Sequence, residues 1–266
     1  MSGSTGEPGI VHTVASASSF RSWAATHCGT VRQNNQDGFV NRPDLGVWAV
    51  ADGAGGHQAG EVASTHVLQA LETMPPGLSA AEVLLEVRQR LAAAHEWLRA
   101  EGARRGEGAV VATTVVVLLA RDEHFACLWA GDSRAYLLRA GKLVQISRDH
   151  SLVQDLVDSG ALAPAEAEGH PHANVITRAL GADMPELELD KRSGTLLPGD
   201  RLLMCSDGLF KALTEDAIAE LLGADEDALA ERLILAALTA QATDNVTAVA
   251  IQVVPVGDGA MISENP

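Results

Sequence analysis

Six short stretches of the chain, 46–51, 113–120, 124–130, 135–139, 201–205 and 246–254, are apolar, and several carry β-branched or aromatic residues. Turn signals such as Arg121-Asp122-Glu123 and Ala140-Gly141-Lys142 bound them, so each is predicted to be a strand. Runs this closely spaced are expected to pair as antiparallel hairpins, because parallel neighbours need long crossovers. Three other segments follow a helical period. Residues 60–73 place Val62, Val67, Leu68 and Leu71 on one face, and 80–99 do the same with Val83, Leu84, Val87, Leu91 and Leu98. The third, 226–241, is rich in alanine and leucine and starts near Ala224 or Asp225. Antiparallel strands with helices early and late predict an α+β layered sandwich.

Residues 151–180 interrupt the strands. Here 152–157 read as a short amphipathic helix ending at Ser159-Gly160, Pro164 opens a second helical start, and His170-Pro171-His172 is a loop. An insertion of this length reads as a functional flap. The stretch up to about Thr13 and the tail 255–266 are rich in small, polar or breaker residues and are expected to be loosely ordered. No repeat or low-complexity linker lies between them, so 14–254 is expected to form a single domain.

Composition narrows the function. A chain of 266 residues with 47% hydrophobic content has enough material for a sizeable core. Acidic residues outnumber basic ones, 35 to 19, and no lysine-arginine cluster is present, which argues against nucleic-acid binding. The acidic surplus serves solubility or gathers hard cations. Cys28, Cys127 and Cys205 form no close pair and read as core thiols of a reducing compartment. The first ten residues lack a secretory signal, and no apolar run approaches the roughly 20 residues that span a bilayer. A soluble, cytoplasmic protein is expected.

The informative chemistry lies where apolar runs meet aspartate. Residues 47–51 lead into Asp52-Gly53 and 202–206 into Asp207-Gly208. Taken singly, each Asp-Gly is an ordinary turn; two of them after apolar strands suggest carboxylates delivered to a ligand, with glycine letting the main chain approach. Gly131-Asp132-Ser133-Arg134, Asp244-Asn245 and Asn34-Asn35-Gln36-Asp37 repeat the design. Carboxylates from distant strands, without accompanying His or Cys, suit magnesium or manganese better than zinc.

In this order, Arg32 and Asp37, Asp52-Gly53-Ala54-Gly55-Gly56-His57, Thr113-Thr114, Gly131 to Arg134, Asp149-His150-Ser151, Ser206-Asp207-Gly208-Leu209 and Asp244-Asn245 resemble the bacterial form of the metal-dependent serine/threonine protein phosphatases, the protein phosphatase 2C family. The resemblance spans Trp23 to Ile251. It implies a four-layer sandwich of two antiparallel β-sheets flanked by antiparallel helix pairs, with a small helical flap beside a metal cleft. It also implies hydrolysis of phosphoserine and phosphothreonine in proteins with two core Mn2+ or Mg2+ ions and a third, weaker one. By the same resemblance, Asp52 bridges the two core ions, the Gly53 carbonyl ligates one, and Asp207 and Asp244 complete the other. Asp132 joins Asp207 at the third ion, Asp37 is linked to the metals through water, and Arg32 grips the substrate phosphate. Its implied partners are phosphorylated proteins and a bacterial serine/threonine kinase whose action it opposes; the chain itself is expected to be a monomer.

The match is uneven. Gln36 stands where some relatives carry glutamate, and Ala54 where many eukaryotic relatives carry a histidine proposed as leaving-group acid; no replacement acid is evident. His57 and His150 read as structural, and Thr113 and Thr114 as strand packing. Two other readings remain open: a phosphatase-fold regulator that binds phosphoproteins without turnover, and a metal phosphoesterase for nucleotides or small phosphates. A phosphate-loop ATPase is excluded, because no glycine-rich loop leads into Lys and Ser/Thr.

Overall fold

The computed structural model describes residues 18–55, 58–167 and 169–255. His57 and nearly all of the two terminal segments lie outside them. The chain runs β1 (Ser18–His27), β2 (Asp37–Arg42), β3 (Val47–Ala54), α1 (Ala59–Glu72), α2 (Ala80–Arg105), β4 (Ala112–Thr113), β5 (Val115–Arg121), β6 (His124–Ala130), β7 (Arg134–Arg139) and β8 (Lys142–Gln145). It continues through α3 (Leu152–Asp158), a 3₁₀ turn at Pro164–Glu166, β9 (Asp190–Thr195), β10 (Arg201–Cys205), α4 (Asp207–Phe210), α5 (Glu215–Gly223), α6 (Leu229–Thr239) and β11 (Val246–Pro255).

Two antiparallel sheets result, ordered β1-β11-β10-β7-β8 and β2-β3-β5-β6-β9, with β4 pairing the end of β3. The alternation of side chains along each strand explains how they stack. In β3, Val47, Ala49 and Ala51 point out to α1 and α2, whereas Trp48 and Val50 meet the opposite sheet. In β10, Leu203 and Cys205 face α5 and α6, while Leu202 and Met204 face inward. Both sheets are therefore covered on both faces, giving an α+β sandwich of helix, sheet, sheet and helix. Helix α2 starts with a reciprocal cap: the Glu82 N–H donates to Ser79 Oγ at 3.3 Å and the Ser79 N–H to Glu82 Oε2 at 2.7 Å.

The structure corrects several sequence expectations. Neighbouring runs 124–130 and 135–139 do not form a hairpin: β6 belongs to one sheet and β7 to the other, and 131–133 carry the chain between them. Gly131 makes that step at φ +113°, where a Cβ would stand 2.5 Å from the Thr114 Cβ. The strand expected over 46–51 runs on through Asp52-Gly53 to Ala54, where β3 pairs with β2 and β4. The late helix is shorter than expected, and the second flap helix is a single 3₁₀ turn.

Candidate functional site

The same alternation that fills the space between the sheets also ends it. Following Trp48 and Val50, the next inward position of β3 is Asp52; following Phe39 toward the start of β2 it is Asp37. On the other sheet, Leu202 and Met204 lead to Ser206, and Val249 leads back to Thr247. At one edge of the sandwich the apolar layer thus gives way to a polar one. Asp37 Oδ2 accepts hydrogen bonds from Ser206 Oγ at 2.6 Å and Thr247 Oγ1 at 2.9 Å, joining the sheets.

Thr113 and Thr114 do more than pack. Thr113 Oγ1 donates to the Asp52 carbonyl at 2.9 Å, the Asp52 N–H donates to Thr114 Oγ1 at 3.1 Å, and Thr114 Oγ1 lies 2.7 Å from Ser133 Oγ. These bonds fix the backbone that carries Asp52 and tie it to the turn that carries Asp132. Gly53 is needed because the first turn of α1 crosses it closely: a Cβ there would fall 2.1 Å from the Gly60 carbonyl oxygen.

Buried Asn245 fastens the segment before β2 to the last strand. Its Oδ1 accepts from the Gln36 N–H at 2.8 Å, and its Nδ2 donates to the carbonyls of Cys28 and Asn34 at 3.1 and 3.0 Å. Arg32 and Asp244 are thereby brought together, and the guanidinium grips the carboxylate through Nε at 2.9 Å and Nη2 at 2.8 Å. Burial alone would raise the Asp244 carboxyl, but the bonds from Arg32 and the Asn245 N–H outweigh it and hold it below the usual range. Asp207 opens α4, where Lys211, one turn on, donates to its Oδ2 at 2.5 Å.

The motifs around Asp132 and Asp149 support each other. Arg134 clasps Asp149 with contacts of 2.7 to 3.0 Å, and the ring of Phe210 covers the guanidinium at 3.7 Å. The Gly131 N–H donates to His150 Nδ1 at 3.2 Å, and the His150 N–H to the Gly131 carbonyl at 3.0 Å. His150 Nε2 lies 3.3 Å from Asp190 on the neighbouring sheet, and burial lowers the imidazole pKa. His150 braces the Asp132 turn. The flap grows from the same place: Ser151 caps α3, Ser151 bridges Ile176, and Thr113 exchanges backbone hydrogen bonds with Leu180.

The carboxylates act on one another. Burial, followed by the charges of Asp37, Asp207, Asp132 and Asp244, raises Asp52 well above the ordinary range. Burial also raises Asp37 and Asp132, each to about 7. Asp37 Oδ1 is buried without a hydrogen-bond partner among the described residues. An all-oxygen cluster whose members repel each other, with an orphaned carboxylate oxygen inside it, fits hard divalent cations and their waters. Among the described residues, no three His, Cys, Asp or Glu side chains are grouped closely enough to enclose one ion as they stand; Asp244 is held by Arg32 and Asp207 by Lys211.

The sequence profile of protein phosphatase 2C matches residues 25–241. This chain belongs to that family. It is similar to the serine/threonine protein phosphatase PstP of Mycobacterium tuberculosis, with 38% identity over 227 residues; the match takes in 85% of this chain and 43% of that protein. The chain thus spans under half the length of that curated relative. PppA, described as a key regulatory component of T6SS in Pseudomonas aeruginosa, superposes with a TM-score of 0.82 at 40% identity, covering 90% of this chain and 99% of the PppA chain. The catalytic domain of PstP in complex with two manganese ions superposes with a TM-score of 0.74 at 37% identity, covering 88% and 98%.

Ser133, Ser206, Thr247, Asn245 and Lys211 escaped the sequence reading as site residues. For Ser206 and Thr247 a signal exists: each continues the inward row of its strand by one more step of two.

Proposed function

We propose that the chain is a metal-dependent protein phosphatase, formed by one domain over 14–254, that hydrolyses phosphoserine and phosphothreonine in other proteins. The observation that carries this reading is the convergence of Asp37, Asp52, Asp132, Asp207 and Asp244 at one edge of the sandwich, mutually repelling and backed by the Asp37 oxygen that lacks a partner. The site would hold Mn2+ or Mg2+, as two core ions and a third. Asp52, the Gly53 carbonyl, Asp207 and Asp244 would hold the core ions. Asp132 would share the third with Asp207, and Asp37 would hold a water beside them. When bound, such ions supply Lewis acidity and lower the pKa of the water that attacks phosphorus.

The chain's own residues do the rest. Ser206 and Thr247 engage Asp37 through Oδ2 and leave Oδ1 without a hydrogen-bond partner among the described residues. Thr113 and Thr114 hold the Asp52 backbone in place. Arg32 is exposed at the rim, and its planar fork, which now clasps Asp244, suits two phosphate oxygens equally well. The flap borders a cavity of about 410 Å3 beside Asp132 and shapes which phosphoprotein enters. Substrates are the targets of a serine/threonine kinase, and the alternative of a nucleotide or small phosphate ester is tested by the same assay. No helix among the described residues is long and apolar enough to cross a membrane, and the free, buried Cys127 and Cys205 support a cytoplasmic setting, with the enzyme acting as a monomer.

The test is phosphate release from a phosphothreonine peptide, with and without Mn2+, by wild type and Asp207→Ala. Mn2+-dependent turnover lost in the variant supports the reading. No metal-dependent turnover by wild type sinks it, undiminished turnover by the variant sinks the ligand assignment, and preference for a nucleotide over the peptide redirects the substrate class.

A further inference from the structure

Lys211 lies where α4 ends, and the backbone places it one helical turn after Asp207. Its ammonium donates to Asp207 Oδ2 at 2.5 Å and, in the other direction, to Oδ1 of Asn174 in the flap at 2.7 Å. Asp132, Lys211, Asn174 and Phe210 line one cavity. The positive charge of Lys211 is felt at Asp132, drawing its carboxyl down against burial and the Asp207 charge. A single ammonium therefore sits among the two carboxylates proposed for the third ion and a side chain of the flap.

We infer that Lys211 is a tethered cation for the Asp132–Asp207 corner: it competes with a divalent ion for those carboxylates and, through Asn174, latches the flap over them. This rests on the proposed ligand roles of Asp132 and Asp207. Two positive charges cannot share this corner without strong repulsion. A divalent ion entering it displaces the ammonium from Asp207 and loosens the hydrogen bond to Asn174. Loss of the ammonium leaves the carboxylates to the metal alone. Lys211 is a positioning residue here; it neither touches the reacting phosphorus nor replaces Arg32. Its side chain is 37% exposed, so replacement leaves no buried gap.

Two measurements on the full chain, stripped of metal, test the inference. Mn2+ is titrated by calorimetry into wild type, Lys211→Met, Asp132→Asn and the double variant. Lys211→Met keeps the aliphatic stem and is expected to tighten the weakest-bound Mn2+ by about tenfold, and the core ion that shares Asp207 by less. The double variant should bind as Asp132→Asn does, with no gain. Hydrogen exchange of the segment 170–176 should rise in metal-free Lys211→Met and in Asn174→Ala alike. Unchanged Mn2+ affinity in Lys211→Met, an equal gain at every ion, or unchanged exchange in both flap variants overturns the proposal. If wild type and Asp132→Asn bind Mn2+ identically, the ligand assignment beneath it has failed, and the proposal falls for that separate reason.

Discussion

Asp37 and Asp52 are direct antiparallel partners across β2 and β3, both on the face turned toward the opposite sheet. Like charges placed opposite each other on one face of a sheet are destabilising, and here burial makes them more so. The pairing is a feature of the backbone register, so the repulsion is built in before any ligand arrives.

That repulsion has a pH signature. In the unfolded chain these carboxyls ionise near the ordinary value of about 3.9, whereas folded Asp37 and Asp132 keep their protons up to about 7. Between those limits the folded state binds more protons, so stability contributed by these groups falls as pH rises. Each costs up to about 1.4 kcal/mol per pH unit across the window. Asp37→Asn removes one such group while keeping an oxygen that accepts from Ser206 and Thr247. In metal-free protein, the melting temperature of Asp37→Asn relative to wild type is expected to climb steadily from pH 4 to 7, and saturating Mn2+ should erase that advantage. A difference that stays flat or shrinks with pH contradicts the assignment of the shift to Asp37.

A second prediction concerns the brace behind Asp132. Arg134 is largely enclosed, Asp149 is buried, and each satisfies the other. Removing one partner of such a pair strands a buried charge, which costs about 3–5 kcal/mol. Arg134→Met should lower the free energy of unfolding by that much in a denaturant titration, although neither residue is proposed to touch substrate. A loss under about 1 kcal/mol would place the pair with ordinary surface bridges.

How far this was legible in the sequence depends on what signalled each element. Apolar strands such as β5 and β6 announce themselves, because both faces are buried. Strand β9, Asp-Lys-Arg-Ser-Gly-Thr, carries no apolar pattern at all; it is an edge strand held by its register with β6. Strand β1 mixes Ser, Arg and Ala with two aromatics and is defined by ten paired positions along β11. The crossing from β6 to β7 was hidden because spacing alone cannot say which sheet a strand joins. At the site, the aspartates could be read from the motifs; of their supports, Ser206 and Thr247 were signalled only by the inward row of their strands. Ser206, Thr247 and Asn245 act through contacts more than 160 residues away in sequence, from 169 for Ser206 to Asp37 up to 221 for Thr247 to Thr26, apart from a few shorter ones.

The approach of α1 to β3 gives a third prediction. A methyl at Gly53 would meet the Gly60 carbonyl at 2.1 Å, backbone against backbone, with no flexible side chain to yield. Gly53→Ala must shift either the α1 start or the strand end that presents Asp52 and its neighbouring carbonyl. The expected outcome is a protein that folds with reduced stability and binds Mn2+ at least about tenfold more weakly, a change of about 1.4 kcal/mol. Calorimetric affinity equal to wild type would show that the strand end has no part in holding the ion.

The last prediction separates the two tasks of Arg32. As the structure stands, its fork is spent on Asp244, and because both side chains are well exposed the pair contributes no more than about 1 kcal/mol to stability. Release of that fork is what phosphate binding requires, and Asp244 is simultaneously freed for a cation. Arg32→Lys keeps the charge but loses the planar pair of donors. Its kcat/KM on a phosphothreonine peptide should fall by about 10–100-fold, equivalent to about 1.4–2.7 kcal/mol of transition-state stabilisation. Arg32→Ala should fall further, yet bind Mn2+ as tightly as wild type or more tightly, because Asp244 no longer has a competing partner. If Arg32→Ala instead loses Mn2+ affinity in step with its activity, the arginine serves to hold the metal ligand in place, and its role as the phosphate grip is wrong.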